Sequence, residues 1–512
     1  MNEFRIEYIY LNVDEKQTKQ NSNIQTIQTN MVYLNLLVII IIPLLLFNNL
    51  YINYASDDDN NNNKHLMCTY EKSEALQWEM NQTLENIVER HGYKLLVYHV
   101  ITEDGYILDL HRVVPKNFIE YFSNNNDYNN DNDTNMNIVT DINNNNNTNK
   151  PFIRQHNFHI NQSYARGRQP VIVLHGFLSS SIEFFINNFY QKDGRDNFGL
   201  ALLATNRYDV WLPNLRGNGV SNAHISINNT ETKFWEFSLD EMAEYDLPAV
   251  IDVIVNETGH QNNINFVGRG TGGAIGLAMA SLLPQVGQKL RTLVAWAPTV
   301  YVNWWKSRFN FLTYFTPLLM IPGKYRYDCR SLANIINEIC TWKLINDPSC
   351  LYKAMYGQTN RMNVTRIPVI EHYGHSSTSN WFCAHTDQIS NRDRFIRFDY
   401  YCKNRNLQKY NQSTPPDYPL HRLPTETLSV AIFYSYTDNW VSPDNAKRLI
   451  DELRGYYRSK PERAGKLTEV VVETEQWNHV DYVVGMGAYD LVYKRTIEIL
   501  DSNRAPNNIT EQ

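Results

Sequence analysis

Short apolar runs that alternate with stretches at helical spacing constrain this chain more than any other feature. Residues 170–174 (PVIVL), 208–212 (YDVWL), 264–267 (INFV) and 290–296 (LRTLVAW) are too short for helices and too uniformly apolar to face water. Residues 428–434 (LSVAIFY) and 468–473 (TEVVVE) continue the series. Between them, residues 242–258 place Leu247, Val250, Ile251 and Ile254 at helical spacing, and residues 272–282 are rich in Ala, Leu and Met. Buried strands alternating with helices predict an α/β fold, a mostly parallel central sheet flanked by helices. Residues 301–425 break the rhythm, being aromatic, cysteine-bearing and irregular. They are read as a cap inserted between two halves of the sheet domain, 169–300 and 426–500.

The rest of the chain bounds where the protein works. Residues 31–47 (MVYLNLLVIIIIPLLLF) are apolar apart from Asn35, long for a signal-peptide core and short for a full membrane span. We read 1–30 as a tail, 31–51 as a signal peptide or a single signal anchor, and 52–67 as a linker. All nine N-x-S/T sequons, at Asn81, Asn132, Asn146, Asn161, Asn228, Asn256, Asn363, Asn411 and Asn508, follow that run. So do all six cysteines. This one-sidedness predicts a body outside the cytosol: secreted, lysosomal, or held by a single N-terminal membrane anchor. A net charge of −7 with no basic stripe argues against a nucleic-acid partner. Residues 124–149 hold 14 Asn and little that can pack. The surrounding 123–168 is therefore read as a disordered insertion, separating an N-terminal segment, 68–122, from the main body; 501–512 is a tail. No zinc-type spacing of Cys or His occurs, and neither metal nor cofactor is expected. Nothing in the sequence speaks to oligomeric state.

The motif with chemical content is Gly268-Arg269-Gly270-Thr271-Gly272, which ends the apolar run INFV and opens an Ala-rich helix. This is the strand–turn–helix setting of a G-x-S-x-G nucleophile elbow, where small flanking residues let strand and helix pack around one strained position. Alone, the pentapeptide suits any glycine-rich strand-to-helix turn. It lacks the G-x-G-x-x-G spacing of a dinucleotide loop.

Its surroundings are more specific. Thr102-Glu103-Asp104-Gly105-Tyr106, His175-Gly176-Phe177, Asn214-Leu215-Arg216-Gly217-Asn218, Phe234-Trp235-Glu236-Phe237-Ser238, Asp240-Glu241-Met242-Ala243-Glu244-Tyr245-Asp246-Leu247-Pro248 and Tyr410-Asn411-Gln412-Ser413 stand in chain order. Together they resemble the acid lipase family, the group of gastric and lysosomal acid lipases, over roughly residues 68–500 less the Asn-rich insertion. The resemblance implies an α/β-hydrolase fold with an inserted cap and an ester hydrolase of neutral lipids such as triacylglycerols and steryl esters. It places the nucleophile at position 270. Asp438, in Tyr436-Thr437-Asp438-Asn439-Trp440, becomes the orienting carboxylate, and His479, in Trp477-Asn478-His479-Val480-Asp481-Tyr482, the general base. It also assigns the oxyanion-hole amides to Phe177 and Thr271, and pairs Cys340 with Cys350 in a cap disulfide.

One departure outweighs the matches. The family's G-H-S-x-G is Gly268-Arg269-Gly270-Thr271-Gly272 here, so the attacking hydroxyl is missing. Thr271 stands one residue too late, and no serine occurs between Ser238 and Ser281. Removing the serine of such a triad typically costs on the order of 10⁶ in turnover. The sequence therefore predicts a lipase-fold protein that binds a neutral lipid, an acyl ester or a protein without hydrolysis. The alternative is residual ester hydrolysis, for instance by water activated directly at His479. Arg269, in place of the family's His, is expected to crowd the acyl site and to disturb His479.

Overall fold

Each of the six apolar runs forms a strand, and an N-terminal hairpin that the runs do not announce joins them in one sheet. The computed structural model describes residues 74–121, 152–154, 158–160, 164, 167–188, 194–302, 326–328, 357–374, 376–458 and 465–504. The apolar segment 31–47, the Asn-rich stretch 124–149 and the Cys340/Cys350 pair lie outside them. The hairpin is β1 (Tyr93–Ile101) and β2 (Tyr106–Pro115), antiparallel and turned at Gly105, φ +96°. There follow β3 (Gln169–Leu174), β4 (Tyr208–Pro213), β5 (Ile264–Arg269), β6 (Leu290–Trp296), β7 (Ser429–Tyr434) and β8 (Leu467–Val471). Their order across the sheet is β8-β7-β6-β5-β3-β4-β2-β1, with the short strand Phe152–Arg154 beyond β1. Pairing is parallel from β8 to β4 and antiparallel from β4 outward. Strands β3, β4, β5 and β7 are buried along their whole length, as a parallel sheet covered on both faces requires.

Helix α1 (Leu247–Thr258) buries Leu247, Val250, Ile251 and Ile254 and ends at Gly259, whose left-handed φ of +74° closes it. Its approach differs from the single helix that the spacing predicts. A capping box on Ser238 and Glu241 starts a short turn, and Met242–Asp246 forms a π-helical turn in which the Leu247 N–H reaches the Met242 carbonyl. Helix α2 (Thr271–Leu282) follows β5 directly and is buried almost throughout. Among the described residues no helix is long and apolar enough to cross a membrane. The strands Ile119–Tyr121 and Phe158–Ile160 pair antiparallel on either side of the Asn-rich stretch 124–149. With Phe152–Arg154 paired to β1 and Tyr164 buried, the described residues of 123–168 after that stretch are ordered by strand pairing and packing, not the disordered insertion expected.

The segments that carry the resemblance turn out to be largely scaffold. Arg216 is fully buried; its Nη1 and Nη2 donate to the Asp104 carboxylate at 2.6 and 2.9 Å, and its Nε to Asp246 at 2.8 Å. One guanidinium thus ties T-E-D-G, N-x-R-G-N and Y-D-L-P together. Asp240, also fully buried, accepts from the Tyr410 hydroxyl at 3.0 Å, from the Tyr418 hydroxyl and from the Phe398 amide, with Arg397 at 3.2 Å. That carboxylate anchors part of the 357–425 region to the approach of α1. Buried charges persist only when paired in this way.

Candidate active site

Strand β5 runs straight into α2 through Gly270, which has φ +54° and ψ −116°. The turn is tight enough to dictate its neighbours. A Cβ on Gly268 would lie 2.6 Å from the Gly272 carbonyl carbon, and one on Gly272 would lie 2.4 Å from the His175 carbonyl oxygen. The Gly270 N–H donates to the Trp296 carbonyl at 2.7 Å, and its own carbonyl accepts from the Ala274 amide at 3.2 Å. Backbone bonds alone therefore hold position 270 in a conformation that side chains rarely adopt.

Two loops bring the remaining candidates to that turn. After β7, Asp438 accepts from the Trp440 and Val441 amides through Oδ1 at 2.7 and 3.0 Å, leaving Oδ2 for His479 Nδ1 at 2.9 Å. Asp438 is 4% exposed and His479 2%. The Trp440 indole stacks on the imidazole, with centroids 5.1 Å apart and planes at 20°. Ser435 and Thr437 hydroxyls both donate to the Trp477 carbonyl, at 2.6 and 3.0 Å, lashing the histidine loop to the aspartate loop. His479 Nε2 points at position 270: a Cβ there would be only 2.7 Å away. No described residue bonds to Nε2.

The oxyanion candidates lie on the two other elements. Phe177 follows β3 by three residues, and its ring packs edge-on to Phe382 at 5.2 Å and near Trp440 at 6.4 Å. Thr271 is the first residue of α2, with its hydroxyl turned away to accept from Thr299 Oγ1 at 3.2 Å. Among the described residues neither amide N–H has an acceptor. His175 braces the loop: Nδ1 lies 2.9 Å from the Gly176 carbonyl, and Nε2 accepts from the Leu215 amide at 3.2 Å. Burial holds this imidazole's pKa below its ordinary value, which keeps it in the neutral form that an accepting nitrogen needs.

Arg269 is not where the sequence put it. Rather than crowding the acyl side, the guanidinium forms a two-pronged pair with Glu183, Nε–Oε1 at 3.1 Å and Nη2–Oε2 at 2.7 Å. Oε1 also accepts from the Gly176 amide at 3.1 Å. Burial pushes the Glu183 carboxyl up, but Arg269 against it holds it below the ordinary carboxylate value. A cation matched to a buried carboxylate has no reason to lie over His479, so the expectation that Arg269 disturbs that histidine is withdrawn. Glu183 went unassigned in the sequence, although an arginine at a buried elbow calls for an acid somewhere. Trp440, Ser435 and Thr437 gave no signal of their positioning roles.

Residues 169–482 match the model of the alpha/beta hydrolase fold family. The chain belongs to that family. Residues 84–188 match the model of the partial alpha/beta-hydrolase lipase region, and the chain is acid-lipase-like within the family. It is 27% identical over 441 residues to human lipase member M, covering 84% of this chain and 88% of that one. It is 27% identical over 431 residues to rat gastric triacylglycerol lipase, covering 82% and 92%. Among solved structures, a soluble variant of Saccharomyces cerevisiae monoglyceride lipase aligns at TM-score 0.39 and 14% identity, over 67% of this chain and 88% of that chain.

Proposed function

We propose that this α/β-hydrolase-family protein binds a neutral lipid, an acyl ester or a protein without hydrolysing it. One observation carries the reading: His479 Nε2 is aimed at Gly270, which offers it no hydroxyl. A general base activates only a nucleophile within hydrogen-bond reach. Relatives named triacylglycerol lipases support acyl lipid as the ligand class. Wild-type protein is expected neither to label with a fluorophosphonate serine probe nor to turn over acyl esters. Labelling that His479→Ala abolishes would overturn the proposal.

A second reading rests on the intact Asp438–His479 pair. Water deprotonated at Nε2 would attack the ester carbonyl directly and give slow hydrolysis without probe labelling. Ester turnover by unlabelled wild-type protein, lost on His479→Ala, selects this reading over the first.

We further propose that the body works outside the cytosol, secreted, lysosomal or anchored by its N-terminal segment. The sequon asparagines Asn81, Asn228, Asn256 and Asn411 are exposed, as glycan attachment requires. Protein expressed in a eukaryotic secretory host is expected to gain gel mobility on N-glycosidase treatment; unchanged mobility would refute the assignment.

A further inference from the structure

We propose that the site at Gly270 receives the free carboxylate of a long-chain fatty acid in preference to the ester. The inference rests on the non-hydrolytic reading above and narrows its ligand. Three hydrogen-bonding groups border position 270 or belong to the adjoining turns, and all three lack partners among the described residues. Two are the Thr271 and Phe177 amides. The first opens α2, a helix of 12 residues, where aligned peptide dipoles favour an anion. The third is His479 Nε2, on a side chain 3% exposed and directed at the space a serine would fill.

An ester suits this arrangement poorly. Its carbonyl oxygen satisfies the amides, yet its alkoxy oxygen is a weak acceptor and nothing in an ester donates to Nε2. A carboxylic acid satisfies all three. The acid's own proton, or one taken up from water when the carboxylate anion binds, resides on Nε2, so the imidazolium lies between the bound carboxylate and Asp438, already at 2.9 Å from Nδ1. One carboxylate oxygen then accepts from Nε2–H and the other from the amides. Charge-assisted bonds of this kind are about twice as strong as neutral ones. The absent Cβ supplies the room. Phe177, Phe382 and Trp440 form an apolar aromatic flank, which suits a ligand whose remaining substituent is a hydrocarbon.

Calorimetric titration of the full-length protein with oleate and with methyl oleate, each below its aggregation limit, tests this. Oleate is expected to bind, and methyl oleate to bind about 10- to 100-fold more weakly. His479→Ala should weaken oleate by a similar factor and leave the ester unchanged. If His479→Ala does not fold, His479→Gln serves, and the comparison of acid with ester needs no variant. Equal binding of the two ligands would overturn the carboxylate assignment while leaving non-hydrolytic binding intact. Release of oleate and methanol from methyl oleate by the wild type would overturn the non-hydrolytic reading itself. No heat with either ligand, from folded protein, would overturn both.

Discussion

A Gly270→Ser variant is expected to label with a fluorophosphonate probe and to hydrolyse short acyl esters about 10²–10⁴-fold faster than the wild-type chain. The machinery around position 270 stands ready: His479 is held by Asp438 at 2.9 Å with Nε2 facing the turn. The Phe177 and Thr271 amides remain without acceptors among the described residues, and an oxyanion hole built from backbone depends little on side-chain identity. The gain stays below the order of 10⁶ that a serine normally supplies. A Cβ at 270 would stand 2.7 Å from Nε2, so the imidazole must retreat, and Trp440 stacked on it resists that movement. The backbone at φ +54° also costs a side-chain-bearing residue about 1–3 kcal/mol. Adding His479→Ala should remove both labelling and turnover. A folded serine variant that stayed silent with the probe would mean that the imidazole does not yield, and the restoration argument would fail.

Arg269→Leu is expected to destabilise the fold by about 3–5 kcal/mol at neutral pH, the usual consequence of leaving a buried carboxylate without its cation. Glu183 is 2% exposed and Arg269 7%, so water does not screen the pair. Combining Arg269→Leu with Glu183→Gln should recover most of the loss, because the amide oxygen still accepts from Gly176 while the charge is gone. The sign with pH follows from linkage. In the wild type the Glu183 pKa lies below its unfolded value of 4.5, so the stabilisation it brings is complete above that pH and fades as pH falls through the folded value. Without Arg269 the buried carboxyl titrates above its unfolded value, so the penalty grows as pH rises past 4.5. Denaturant midpoints at pH 7 and pH 4 should therefore differ more from wild type at pH 7. An equal penalty at both would show that lost packing, rather than lost charge pairing, dominates.

The sheet was legible because burial on two faces leaves short, continuous apolar runs. The runs PVIVL and INFV could be read locally, and the glycines at 268 and 272 announced a close strand–helix approach. The dyad was legible only through resemblance, since a loop Asp and a loop His carry no local pattern. Long-range pairing was not legible. Glu183 lies 86 residues from Arg269 and Asp104 lies 112 from Arg216; spacing within a helix or strand reports which face is buried, never which distant charge meets it. For the same reason the antiparallel hairpin 93–115 escaped notice, because strands such as YKLLVYHVI, with burial on alternate residues, look half-exposed in sequence. The signature segments stood out in the sequence as marks of an enzyme family, yet their charged residues mostly hold loops in place.

The ladder between Ile119–Tyr121 and Phe158–Ile160 has a meaning for how such a chain changes over time. Ile119 pairs with Ile160 and Tyr121 with Phe158, so the backbone on the two sides of the Asn-rich stretch is brought together, with Phe152–Arg154 held on β1 between them. Closing a loop between adjacent ends costs only about 0.6 kcal/mol more for each doubling of its length. An Asn-rich tract inserted there can lengthen or shrink by tens of residues while the sheet, the dyad and the elbow keep their coordinates. The fold thus has a seam where drift in length is nearly free, placed well along the chain from the turn at Gly270, where even a single added methyl group would collide with His479.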